Sequence, residues 1–183
     1  MTVEAVPARL ALLPNALTIA RLLILPIFVA LMLTADGGHS WPAAIVFAVA
    51  GATDQLDGWL ARRWRVESRF GKVADPLADR LAIDVAVILL WAADRLPWAA
   101  LAILVRDLLL VAGYKVVVPR GYDFSVNLLG KAATWLLYAA LAFTMATHRG
   151  TDWPLWIFWT GVTLAVVAAV LYLHKAWREV RTR

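Results

Sequence analysis

Apolar residues run in long blocks along this chain, separated by short polar stretches that carry glycine or proline. A helix needs about 20 mostly apolar residues to cross a bilayer. On that measure six spans are predicted, roughly 12–34, 41–61, 76–94, 97–118, 127–147 and 153–174. The breaks between them hold turn formers: Asp36-Gly37-Gly38, Leu96-Pro97, Pro119-Arg120-Gly121 and Arg149-Gly150. There is no internal repeat and no low-complexity tract, so residues 1–183 read as a single domain, with residues 1–8 a loosely ordered N-terminus. The first apolar block is long enough to span, and no small-residue cleavage site follows it. No cleavable signal peptide is expected.

Charge orients the spans. With the N-terminus inside, the cytoplasmic segments hold Arg9, then Arg62, Arg63, Arg65, Arg69 and Lys72. Lys115 and Arg120 follow, then Lys175, Arg178, Arg181 and Arg183. The opposite side keeps little beyond Arg95 and Arg149. This positive-inside bias places both termini in the cytoplasm. Composition agrees with a membrane protein. Hydrophobic residues make up 62% and charged residues 17%, and the mean hydropathy is +0.71. Ordinary soluble domains are closer to half apolar and a quarter charged. Of the 10 Trp, residues 41, 98 and 153 sit at predicted helix ends, where amphipathic rings favour the interface. The net charge of +5 lies between apolar segments and suits anionic lipid headgroups, not nucleic acid. Cysteine is absent, which excludes disulfides, thiolate metal sites and a thiol nucleophile. The expected fold is an all-α integral membrane protein, multi-pass in the cell (inner) membrane, with the lipid bilayer as its surroundings.

Hydropathy does not account for residues 51–82, where Asp54, Asp57, Asp75 and Asp79 fall near the cytoplasmic ends of spans two and three. An ionised Asp in the apolar layer is costly unless paired, roughly 2.5–3.5 kcal/mol on insertion scales. Asp54 and Asp57 are three apart, and Asp75 and Asp79 four apart, so each pair shares one helix face. Two such helices side by side would converge four carboxylates on one cytoplasm-facing polar pocket. Oxygen ligands at this density suit hard divalent cations such as Mg²⁺, Mn²⁺ or Ca²⁺. Two such ions can hold both the attacking and the leaving oxygen of a phosphoryl displacement. The competing reading pairs the aspartates with Arg62, Arg63 and Arg80 as a purely structural network. His39, His148 and His174 look scattered and peripheral. Gly58 and Ala61 keep one side of span two small, which would admit a bulky ligand. Arg62 supplies a planar fork suited to phosphate. Gly71 falls in the predicted basic connection, where it could admit a nucleotide.

These residues resemble the signature of the CDP-alcohol phosphotransferases, D-x2-D-G-x2-A-R-x8-G-x3-D-x3-D. Asp54, Asp57, Gly58, Ala61, Arg62, Gly71, Asp75 and Asp79 meet every fixed position and gap. The resemblance covers nearly the whole chain. It implies that the four aspartates bind two metal ions, Mg²⁺ or Mn²⁺, and that Asp79 is also the general base. It implies further that Gly58, Ala61, Arg62 and Gly71 line the CDP site. The expected reaction moves a phosphatidyl group from CDP-diacylglycerol to an alcohol and releases CMP. Family members are often homodimers, which is carried over as an expectation.

The opening Leu13-Pro14-Asn15-Ala16-Leu17-Thr18-Ile19-Ala20-Arg21 resembles the P-N-x-L-T-x-x-R start of phosphatidylglycerophosphate synthases and related cardiolipin synthases. Asn15 is therefore a candidate at the CDP site. Arg21 is a candidate for the donor or the acceptor side, against a snorkelling role at the interface. Arg106 and Lys131 are candidate acceptor ligands. Arg106-Asp107 is a charged pair within an apolar span, and Lys131 opens span five. The competing readings are compensation by a neighbouring helix for Arg106 and a cytoplasmic anchor for Lys131. The R-D pair followed by Tyr114 resembles cardiolipin synthases. Gly130-Lys131-Ala132-Ala133-Thr134 lacks the second lysine usual in enzymes that accept glycerol 3-phosphate. These features lean to phosphatidylglycerol as the glycerol-based acceptor, ahead of glycerol 3-phosphate, with inositol phosphate third. A cation transporter is the alternative of a different class.

Overall fold

A computed structural model describes the backbone of residues 20, 23–64, 71–117 and 128–181, and the side chains of 20, 23–53, 80–109 and 129–171. The described residues are mostly helical and contain no named strand. In chain order the helices are α1 (Leu23–Leu33), α2 (Trp41–Trp64), α3 (Gly71–Ala92), α4 (Ala102–Val117), α5 (Leu128–Ala146) and α6 (Trp153–Arg181). A 3₁₀ turn, Trp98–Leu101, leads into α4.

Apolar side chains face both inward and outward on these helices. Phe28, Phe47, Leu90, Leu137, Leu141, Met145 and Phe158 are fully buried. Leu33, Trp98, Leu108, Leu109 and Trp156 are among the largest exposed apolar groups. Among the described residues two helices are long and apolar enough to cross a membrane, over Leu129–Ala146 and Trp153–Leu171. Only 39% and 28% of their residues are buried, whereas a soluble protein's core helix would be covered on most sides. Trp41 and Trp153 each open a helix and Trp98 opens the 3₁₀ turn, so all three stand at helix ends as the sequence indicates.

The core is built around α5, which packs most extensively on α6 and next on α2. Gly161 of α6 lies against Leu136 and Leu137, where a Cβ would stand 3.1–3.3 Å from their side chains. Gly51 of α2 faces the ring of Tyr138, and a Cβ there would come within 2.6–2.9 Å of ring carbons. Without Gly51 the two helices could not approach this closely. An aromatic row crosses the interior: Phe28 to Phe47 at 5.2 Å between centroids, then Phe47 to Tyr138 at 5.0 Å.

The turns at one end are tied together by arginines. α3 stops in a Schellman arrangement with Asp94 at φ 54°. The Arg95 amide donates to the Leu90 carbonyl at 2.8 Å and the Asp94 amide to the Trp91 carbonyl at 3.0 Å. Arg149, from the α5–α6 turn, donates to the Ala93 carbonyl at 2.6 Å and so caps α3. Reciprocally, Arg95 donates to the carbonyls of Thr144 and Thr147 at 2.6 and 2.8 Å and caps α5. Each cation meets orphan carbonyls at a helix C-terminus, where the macrodipole is negative. Burial, and after it the Arg149 guanidinium, lowers the Arg95 pKa from its ordinary value. Gly38, at φ +72°, presses against Ala93 and Arg95, where a side chain would clash at 2.8 Å. Ser40 then caps α2 through its Oγ, which accepts from the Ala43 amide.

Three expectations change in detail. α3 begins at Gly71, five residues before the predicted 76, so Gly71 is helical and not part of the connection. A helix that begins with a glycine and a lysine hides its start from a hydropathy window, because neither residue is apolar. The predicted fourth span opens as a 3₁₀ turn, since Pro97 fixes an extended φ/ψ of −68° and 156° just before it. His39 and His148 are not scattered: their rings meet at 4.1 Å between centroids, tilted by 38°. His39 Nδ1 also lies 3.1 Å from the Met145 carbonyl.

Candidate active site

The buried face of α2 holds Ala43, Ala44, Phe47, Ala50 and Gly51, spaced as one helical stripe. The same register, continued by seven residues, passes from Phe47 to Asp54, from Ala50 to Asp57 and from Gly51 to Gly58. A further seven from Asp54 reaches Ala61. The buried face of α3 holds Ala82, Ile83, Ala86, Val87 and Leu90. Seven residues back from Ala86 is Asp79, and seven back from Ala82 is Asp75. α2 and α3 are each unbroken through these positions, and they are in contact. By helical spacing alone, each helix continues from a buried apolar stripe into positions held by aspartates. The side chains of Asp54, Asp57, Gly58, Ala61, Arg62, Gly71, Asp75 and Asp79 lie outside the described residues, as do Asn15 and Arg21 entirely. Arg62 occupies the last turn of α2, and Gly71 is the first residue of α3.

Among the described residues, one cluster of charged side chains joins α3 and α4. Asp107 of α4 is 3% exposed. Its Oδ1 accepts from Arg80 Nη1 of α3 at 2.5 Å and from Arg106 Nη1 at 2.7 Å. Sequence offers Arg80 as a partner for the acidic pairs; among the described residues its partner is Asp107. For Asp107 the neighbouring-helix partner that the competing reading called for is Arg80 of α3. Asp84, one turn beyond Arg80, completes the group and interacts electrostatically with Asp107, Arg80 and Arg106. Two arginines and two aspartates sum to zero charge, the condition for holding such groups in an apolar layer. Sequence reasoning missed Asp84. Its signal was present: a carboxylate four residues after an arginine on an otherwise apolar helix.

Arg106 Nε is buried and makes no hydrogen bond among the described residues. Lys131 is half-buried in the first turn of α5, and Thr134 Oγ1 donates to the Gly130 carbonyl beside it. Among the described residues no three His, Asp or Glu side chains gather as a metal site.

A model of the CDP-alcohol phosphatidyltransferase family matches residues 11–169. The chain is 33% identical to the CDP-diacylglycerol–glycerol-3-phosphate 3-phosphatidyltransferase of Bacillus subtilis, over 93% of this chain and 97% of that protein. It is 37% identical to the cardiolipin synthase (CMP-forming) of Streptomyces coelicolor, over 94% of this chain and 86% of that protein. It is 32% identical to the Escherichia coli K12 CDP-diacylglycerol–glycerol-3-phosphate 3-phosphatidyltransferase, over 87% of this chain and 88% of that protein.

Proposed function

The chain belongs to the CDP-alcohol phosphatidyltransferase family, and on that premise we propose that it transfers a phosphatidyl group from CDP-diacylglycerol to phosphatidylglycerol, forming cardiolipin and releasing CMP. Membership makes it a transferase of phospholipid synthesis and sets aside the cation transporter. The supporting observation is the helix register that aligns Asp54 and Asp57 on α2, and Asp75 and Asp79 on α3, with the interior stripes of two touching helices.

An all-carboxylate donor set of this kind fits two Mg²⁺ or Mn²⁺ ions. When bound, the cations neutralise the diphosphate and stabilise CMP as leaving group. The chain's own residues do the rest. Asp79 takes the proton from the acceptor hydroxyl as its oxygen attacks the lipid-bearing phosphorus. Arg62 grips a donor phosphate through its fork, while Gly58, Ala61, Gly71 and Asn15 leave room for the nucleotide. Arg106, Lys131 and Arg21 meet the acceptor. With six spans and both termini in the cytoplasm, this site lies at the inner leaflet, and two chains form a homodimer.

The named relatives divide between glycerol 3-phosphate and cardiolipin synthesis. The R-D pair at Arg106-Asp107 and the single lysine at 131 favour phosphatidylglycerol, because a doubly charged acceptor phosphate calls for more cations. The second reading is glycerol 3-phosphate as acceptor.

The test is CMP release by purified protein from CDP-diacylglycerol with Mg²⁺ or Mn²⁺, across a panel of acceptors with the lipid product identified. Phosphatidylglycerol should give cardiolipin. No release with any glycerol-based or inositol acceptor would end the transferase reading. Asp79→Asn should abolish turnover, by at least about 100-fold for loss of a general base, while donor binding largely survives. An equal loss of donor binding would assign Asp79 to metal binding alone.

A further inference from the structure

We propose that Arg80 and Asp107 are positioning residues that set the rotation of α3, and through it the placement of Asp75 and Asp79 for divalent cations. This rests on the proposed function in taking those two aspartates as metal ligands.

Arg80 lies on α3 next to Asp79, and Asp107 lies on α4. Their ion pair measures 2.5 Å, and the Asp107 side chain is only 4% exposed. Among the described residues this is the ion pair that joins the two helices. The described apolar contacts of α3 run from Ala82 to Leu90, on the side of Arg80 away from Asp75 and Asp79, so the pair is the described anchor of α3 nearest those two aspartates. A charge-assisted bond to the buried Asp107 carboxylate resists rotation of α3 at that point, since breaking it leaves Arg80 without its described partner. One residue corresponds to about 100° of rotation around an α-helix. A slip of a fraction of that would carry Asp75 and Asp79 out of line with Asp54 and Asp57 on α2. Asp107 also holds Arg106 through the same Oδ1, at 2.7 Å, and Asp84 balances the charge. The pair is thus fixed on the α4 side by a second cation and on the α3 side by helical continuity.

Arg80→Gln is the decisive variant, because two accounts predict opposite signs. If Arg80 acts only through its charge, removing a cation beside the carboxylates tightens cation binding. If Arg80 positions α3, binding weakens. Asp107 keeps Arg106 as its partner in this variant, so no buried carboxylate is abandoned. Mn²⁺ affinity is read on the purified full-length chain in detergent by electron paramagnetic resonance of free Mn²⁺. The melting midpoint is measured in parallel, and CMP release is assayed on the same samples. The expected result is Mn²⁺ binding weakened about tenfold, about 1.4 kcal/mol, with kcat falling alongside. Asp107→Glu, which retains both ion pairs, should stay within about threefold of the unsubstituted chain. Unchanged or tighter Mn²⁺ binding in Arg80→Gln overturns the inference, as does a loss that Asp107→Glu shares in full. If the unsubstituted chain itself neither binds Mn²⁺ nor releases CMP, the proposed function falls and takes this inference with it. If it does both and only the variant result disagrees, the inference alone falls.

Discussion

At Gly51 a single hydrogen atom decides how two helices meet. Its Cα faces the Tyr138 ring, and a Cβ would sit 2.6–2.9 Å from ring carbons. Real contacts of that kind force a shift of ring or backbone. Gly51→Val should therefore lower stability by about 1–3 kcal/mol, read as a fall in melting midpoint in detergent. Gly51 is three residues before Asp54 on the same helix, so the same substitution should also reduce CMP release in the surviving folded fraction. A midpoint equal to the unsubstituted chain would show that α2 and α5 are less closely packed than described. The sequence marked Gly58, four residues after Asp54, for a ligand and passed over Gly51. Nothing in a single chain separates a glycine that admits a nucleotide from one that admits a tyrosine ring. Only the position of α5 makes that distinction.

At the scale of elements, helix ends carry more information than helix interiors. The positive-inside pattern treats Arg95 and Arg149 as leftovers, the few cations on the wrong side. In the structure each has a definite partner helix, for Arg149 caps α3 and Arg95 caps α5. Their exchange across two turns couples helices that adjoin little in sequence. Arg95→Gln removes charge-assisted bonds to the Thr144 and Thr147 carbonyls and should cost about 2 kcal/mol, seen as a lower melting midpoint. The divalent-cation affinity should be unchanged within about twofold, because the caps act at the end remote from the acidic stripes. A loss of affinity equal to that in Arg80→Gln would show that the two ends are coupled. Helix starts behave similarly. Ser40 as a cap for α2 is readable from its type and place. Gly71 as the first residue of α3 is not, since glycine more often follows a helix than begins one.

The described residues turn apolar side chains toward their surroundings and toward the interior alike. That is the arrangement expected of a bilayer solute, where lipid and protein core are equally apolar. α6 has 29 residues and so extends about 43 Å, more than the hydrocarbon thickness of about 30 Å. Its basic end past Leu171 should project into the cytoplasm. The absence of native cysteine makes this directly testable. A cysteine at Asp152, in the exposed turn before α6, should react with a membrane-impermeant maleimide on intact cells or spheroplasts. A cysteine at Lys175 should react only after the membrane is opened. The reverse pattern would invert the orientation.

Residue order alone determined the helical class, the apolar blocks, the charge asymmetry and the family. Each depends on local spacing or on a motif written within about 26 consecutive residues of two neighbouring helices. Spacing alone also put each pair of aspartates on one face, because helix periodicity is a local property. Among the described residues, tertiary structure decided that Arg80 of α3 meets Asp107 of α4. Arg80 could reach the acidic pairs or Asp107, and sequence assigns no distance between α3 and α4. It likewise decided that His39 and His148 meet, that Arg95 and Arg149 exchange caps, and that Asp84 joins a neutral buried group. These are pairings across segments far apart in the chain, fixed by how helices pack and not by the residues adjoining them.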